Sequence, residues 1–317
     1  VYPAARLALV VLLFTAGLRM TSLPFAFMLA SLAAFGFCLQ VRPSGDVPMP
    51  DATRTLVRSA STLFVIYTIA SLCIIVDLLA VKRLNPGAGL PGTYTAVAAL
   101  MKMPVFISGV FSVVLLPVIA GRSARAGEQF ELSLRYNILF LALFLTGGFT
   151  CGNHLVTILF RGDIHVGRSL VLVIGCGYAA YALELLFITQ FVGKGNYRVP
   201  VVILPLVIAA ELVGLVLLVP RWGLAGAGAS LAMAHGAGLV AFVFLSRRSF
   251  GYALPVASLA RSLLAAGAVV ALTALAGFPS GWRVFPWLVV ETAVFIGVLI
   301  ATRELQFQEI SPARFLK

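Results

Sequence analysis

Residues 59–120 read SASTLFVIYTIASLCIIVDLLAVKRLNPGAGLPGTYTAVAALMKMPVFISGVFSVVLLPVIA. Two apolar runs, 59–81 and 93–120, flank a turn built from Lys82, Arg83, Asn85, Pro86 and Gly87, followed by Pro91 and Gly92. At about 1.5 Å per residue each run can cross roughly 30 Å of hydrocarbon, so the stretch predicts a membrane hairpin. Each run also carries a charge that lipid rejects: Asp77 near the end of the first and Lys102 within the second. An ionisable group at membrane depth costs at least about 2.5 kcal/mol, so both are expected to face protein or a wet cavity.

Working outward, the whole chain has the same character. It is 61% hydrophobic and 11% charged, with mean hydropathy +1.05, outside the range of a soluble domain. Ten candidate spans result: 4–18, 24–40, 59–81, 93–120, 138–160, 169–192, 200–219, 224–245, 259–278 and 284–301. The fold class expected is an all-α polytopic membrane bundle. The formal charge of +12 would suggest nucleic acid in a soluble protein, but here the basic residues segregate into alternate loops, 15 on one side and 7 on the other. That asymmetry predicts both ends of this chain in the cytoplasm and basic loops against anionic lipid, with nucleic acid not expected as a partner. Cys38, Cys73, Cys151 and Cys176 stand singly in apolar spans, so no metal, cofactor or disulfide is expected. The chain opens on Val1 and enters a hydrophobic span almost at once, which reads as a fragment beginning inside a longer protein.

Several polar residues punctuate these spans. Tyr178, Tyr181 and Glu184 recur every three residues and so share one helical face. Gly228, Ala232 and Gly236 recur every four, a small-residue stripe that lets helices approach closely, and His235 lies beside it. Counted from the outer ends of their spans, Lys102, Glu211 and Glu291 lie at a common depth of roughly 12–15 Å. Lys102 is therefore expected either to neutralise Glu211 or Glu291, or to face an open cavity. Pro104 beside it predicts a kink, which could shape a cavity or serve packing alone. The loop 121–136, mixing Arg122, Arg125 and Arg135 with Glu128 and Glu131, reads as an amphipathic helix on the membrane surface. A membrane glycosyltransferase or polymerase would need acids or histidines in a sizeable outer loop, and the outer loops here are short, with Asp163 their single acid. No enzymatic chemistry is expected.

Across residues 55–248 the chain resembles the polysaccharide flippases of the multidrug/oligosaccharidyl-lipid/polysaccharide exporter superfamily. The resemblance rests on Asp77-Leu78-Leu79 ending a span, Gly92-Thr93-Tyr94 opening the next, Lys102 and Pro104 in its body and Leu115-Leu116-Pro117 near its end. It continues in Phe160-Arg161-Gly162, Gly193-Lys194-Gly195 and Pro220-Arg221-Trp222-Gly223-Leu224-Ala225-Gly226-Ala227. It implies two six-helix lobes followed by two further helices, with the ten spans here standing as the fifth to fourteenth. On that register 1–41 close the first lobe, 42–58 form a cytoplasmic linker, 59–248 are the second lobe, 249–302 the added helices and 303–317 a cytoplasmic tail. The implied activity is alternating-access flipping of an undecaprenyl-diphosphate-linked oligosaccharide across the bacterial inner membrane. Lys102, Tyr178 and Tyr181 are then expected to bind substrate, and Asp77, Glu184, Glu211 and His235 to couple transport to an ion. Expected partners are the lipid-linked sugar, the bilayer and polysaccharide-assembly enzymes. A cation-coupled drug or small-molecule exporter of the same superfamily is the alternative, since such exporters favour carboxylates over cations.

Overall fold

The computed structural model describes residues 50–84, 89–121, 125–160, 166–252 and 254–305, with side chains from 59 onward. The spans expected at 4–18 and 24–40, the turn around Arg161 and Asp163, and the tail beyond 305 lie outside the described residues. The chain divides into two compact units, Val1–Leu56 and Val57–Lys317, and the second holds every described side chain.

The described residues are helical almost throughout. In chain order the helices are α1 (Pro50–Cys73), α2 (Val76–Leu84), α3 (Leu90–Met101), α4 (Met103–Ala120), α5 (Ala126–Phe160), α6 (Arg168–Gly193), α7 (Arg198–Phe250), α8 (Val256–Ala276) and α9 (Val284–Ala301). All eight spans expected from residue 59 onward are present as helix. α1 and α2 form one broken span, bent by 40°. α3 and α4 form another, interrupted at Lys102, because Pro104 has no N–H to return to the Leu100 carbonyl. α7 contains two spans that turn back on each other at Gly223, whose φ of 55° and ψ of −132° suit only a residue without a side chain. Apolar side chains such as Phe64, Phe106, Val113, Leu206 and Val240 point outward, as a bilayer solvent requires.

α6 is the hub. Over an 18-residue apolar stretch of it 67% of residues are buried, more than in the corresponding stretch of the other five continuous spans among the described residues. Its small residues make this possible: a Cβ on Gly177 would fall 2.6 Å from Leu231 Cγ and 3.0 Å from the Ala232 nitrogen, so the second arm of α7 packs directly on the α6 backbone. The expected small-residue stripe contributes at Gly228, which faces Ile174, and at Ala232, while Gly236 has open space around it.

One expectation needs correction here. The segment 121–136 is not a separate surface helix: α5 runs unbroken from Ala126, because Phe130, Leu134 and Ile138 extend its apolar stripe at four-residue spacing and are buried. Phe130 packs edge-on to Phe187 with ring centroids 5.5 Å apart. Within the segment 42–58 the residues from Pro50 onward are helical, where proline fits a first helical turn. The final helices α8 and α9 carry a small core of their own with α5, built from Leu139, Ala265, Val269, Phe295 and Leu299.

Candidate functional site: a buried polar cluster at two helix breaks

Breaking a membrane helix leaves backbone groups without their usual partners, and here two breaks face each other. The interruption after Cys73 leaves the Ile74 carbonyl outside the helical ladder, and it accepts a hydrogen bond from Lys102 Nζ at 2.5 Å. Lys102 occupies the other break, between α3 and α4. Its ammonium also lies 3.9 Å from Asp77 Oδ1 and 5.1 Å from the centre of the Tyr178 ring. Asp77 Oδ2 accepts hydrogen bonds from Tyr94 Oη at 3.0 Å and from Tyr178 Oη. Asp77 is fully buried and Lys102 is 7% exposed. The ion-pair partner of Lys102 is therefore Asp77, not Glu211 or Glu291 as the depth count suggested. Helix rotation and the two breaks decide this, and neither can be counted in residues.

The stripe on α6 carries the cluster inward. Tyr178 reaches Asp77, Tyr181 Oη donates to the Ala70 carbonyl at 2.6 Å, and Glu184 Oε2 lies 2.9 Å from His235 Nδ1. The other ring nitrogen of His235 lies 3.7 Å from Glu211 Oε2, so the imidazole stands between two carboxylates. Tyr181 closes on the imidazole edge-on at 5.0 Å. Glu184, Glu211 and His235 are each fully buried. One break thus joins Lys102 to Asp77, and one helix face joins Asp77 to the Glu184–His235–Glu211 row.

All seven residues singled out in the sequence, Asp77, Lys102, Tyr178, Tyr181, Glu184, Glu211 and His235, enter this assembly. Three further contributors join them. Tyr94, near the start of α3, supplies a hydroxyl to Asp77. Ser230 Oγ donates to the Glu211 carbonyl at 2.7 Å. Gly238 lies against Glu184, and its role is invisible without coordinates. Glu291 stays apart, near Thr273 and Cys151.

Three acids against one lysine and one histidine leave the cluster with excess negative charge whenever all three carboxylates are ionised, whichever form His235 takes. Its hydrogen bonding is also incomplete: Asp77 Oδ1, Glu184 Oε1, both Glu211 carboxylate oxygens and His235 Nε2 have no hydrogen-bond partner. Buried charge is stable only when paired and bonded, so such a cluster is suited to taking up a proton or a small cation. Among the described residues, no group of three or more His, Cys, Asp or Glu side chains is arranged to hold a metal.

Two further features lie elsewhere in the bundle. An apolar groove of about 480 Å³ runs between α5, α6 and α8, lined by Leu141, Leu145, Leu183, Leu263, Ala266 and Val270 among others. The α8–α9 pair is pinned at both ends. At one end Glu304 accepts from Arg135 Nε at 2.7 Å and from Arg261 Nη1 at 2.5 Å, while its carbonyl accepts from Arg135 Nη2. At the other, the Arg168 guanidinium lies 3.4 Å from the centre of the Phe278 ring. Burial pushes the Glu304 carboxyl up, but hydrogen bonds from Ser258, Arg261 and Arg135 outweigh it and hold the group below the usual carboxylate range.

No family model matches the sequence, and no curated protein matches it. Among solved structures, the chain is similar to the lipid II flippase MurJ in an inward closed conformation, with TM-score 0.69 and 12% identity, over 98% of this chain and 67% of that one. The fold is thus that of a multi-pass membrane helix bundle of the lipid-flippase type.

Proposed function

We propose that this chain is the transport body of a flippase that moves an undecaprenyl-diphosphate-linked oligosaccharide between the leaflets of the bacterial inner membrane by alternating access. The observation that carries the reading is a buried ionisable cluster, assembled at two broken helices, inside a bundle with a flippase fold. Broken helices at mid-membrane are where transporters of several folds hold substrate and coupling ions. In this reading Lys102 exchanges partners: Asp77 and the Ile74 carbonyl hold it in the present conformation, and the substrate diphosphate takes their place. The row Glu184–His235–Glu211 supplies the coupling, since a proton or cation bound there changes the charge that Asp77 and Lys102 experience. The apolar groove beside α8 is of the right chemistry for a prenyl tail, with α8 and α9 (within 249–302) flanking it and 59–248 forming the lobe that carries the cluster. Both ends of the chain lie in the cytoplasm, and polysaccharide-assembly enzymes supply and consume the substrate.

The experiment is a flipping assay in proteoliposomes with a fluorescent undecaprenyl-diphosphate oligosaccharide, in a longer homologue carrying this region. Lys102→Ala should abolish flipping and Lys102→Arg retain much of it, with both proteins at normal levels. Full flipping by Lys102→Ala overturns the substrate role. Removing α8 and α9 should spare insertion and stop export, and unchanged export removes the tail groove from the mechanism. A second reading is favoured by the charge count alone: three carboxylates against one lysine suit a cation-coupled exporter of small cationic compounds. Efflux of such compounds without any lipid-linked sugar movement would establish it instead.

A further inference from the structure

A second buried acid lies outside the central cluster, where α9 meets α3 and α5. Glu291 is 1% exposed, and no ion pair reaches it among the described residues. Its Oε1 accepts from Thr273 Oγ1 at 3.2 Å and lies 3.9 Å from the Cys151 thiol, but the Thr273 hydrogen is also claimed by the Val269 carbonyl at 2.9 Å. Its Oε2 has no partner. Beside it is a cavity of about 270 Å³ whose walls include Met101, Leu143, Phe144, Leu155 and Leu288. Gly147 also lines this cavity, and a Cβ there would lie 3.9 Å from Oε2, so bare backbone leaves the oxygen room.

We propose that this seam is a binding site for a compact hydrophobic ammonium compound, its N–H groups on Glu291 Oε2 and its apolar body among the leucines and Phe144. Walls that are apolar apart from Glu291 and the Thr292 hydroxyl, which donates to the Leu288 carbonyl, define such a ligand, and an unsatisfied buried carboxylate oxygen selects a cation over a neutral or anionic isostere. The volume falls just under the roughly 300 Å³ at which drug-sized pockets begin, which suits one ring or a short chain. The site does not depend on what the central cluster transports.

Trp287 reports on it directly, because its Nε1 donates to Thr273 Oγ1 at 3.2 Å. The other two tryptophans, Trp222 and Trp282, are exposed, and a W222F/W282F background leaves Trp287 as the sole tryptophan, excited at about 295 nm to spare the tyrosines. The purified full chain in that background is titrated with benzylamine, benzyl alcohol and phenylacetate. Benzylamine should change the emission saturably, benzyl alcohol should need at least about tenfold more, and phenylacetate should have no effect. Glu291→Gln should bring benzylamine down to the level of benzyl alcohol. Equal response to benzylamine and benzyl alcohol in the protein that retains Glu291 overturns the proposal, whether or not the glutamine variant folds. A saturable change with sodium chloride alone, undisturbed by benzylamine, would assign the site to an inorganic cation and overturn it as well.

Discussion

The Glu184 carboxylate fills the space that a side chain at Gly238 would need: a Cβ there would overlap Glu184 Oε1 and stand 2.6 Å from Val207 Cγ2. The central acid therefore keeps its place because the facing helix is bare at that point.

Gly238→Ala should lower stability by about 1–3 kcal/mol, the usual cost of overpacking. Shortening the acid should recover part of it, the contact with Val207 remaining, so a thermal-unfolding cycle of Gly238→Ala, Glu184→Ala and the double variant should show positive coupling. Additive effects would mean that the two residues do not share the space.

Removing one half of the Asp77–Lys102 pair leaves a buried charge uncompensated. Lys102→Met alone should cost about 3–5 kcal/mol, and Asp77→Asn together with Lys102→Met should recover most of it. Denaturation of the three variants in the same detergent decides this. A double variant as unstable as Lys102→Met would place the loss in packing around the lysine stem.

Glu304 sits at the end of the last helix, where Arg303 adopts a φ of 57° and the Glu304 N–H caps the Leu299 carbonyl at 2.8 Å. Its carboxyl is held below the ordinary value, so it binds fewer protons folded than unfolded. The stability it adds is full above the unfolded value of about 4.3 and is lost as pH falls through the lower folded value. The melting-temperature gap between the unaltered chain and Glu304→Gln should be constant from pH 8 to about pH 5 and shrink below about pH 4. A gap that changes between pH 6 and 8 would point to a different group.

Within the proposed transport cycle, Glu184→Gln should uncouple flipping from its driving ion while leaving the Asp77–Lys102 pair intact. Flipping in proteoliposomes with and without an imposed proton or sodium gradient measures it. Retained ion dependence would move the coupling role to Glu211 or elsewhere.

The sequence showed the helices readily, because a run of twenty apolar residues has one stable form in lipid and because turns such as Pro220–Gly223 carry their own backbone demands. It also pointed to the charged residues of the buried cluster, since an ionisable group within a span is conspicuous whatever its partner. Partnership was another matter. Depth matches Lys102 to Glu211 and Glu291, yet it reaches Asp77 and the Ile74 carbonyl, because two helix breaks and the rotation of α3 set the contact. Segment 121–136 looks like a surface helix when its charges are counted, while its stripe of Phe130, Leu134 and Ile138 is what packs. Gly238 leaves no mark at all, since a glycine reveals its purpose only through the neighbour that occupies its absent side chain.

The two fastenings of the α8–α9 pair are of different kinds, and this makes its attachment lopsided toward the environment. The Glu304 end is held by charges on partly accessible arginines, which dissolved salt and acid can weaken. The Phe278 end is held by a guanidinium stacked on a ring, a contact that owes much of its strength to desolvation and responds little to ionic strength. High salt should therefore loosen the pair as a gate loosens from its latch, swinging free at the Glu304 end while the Phe278 end stays seated.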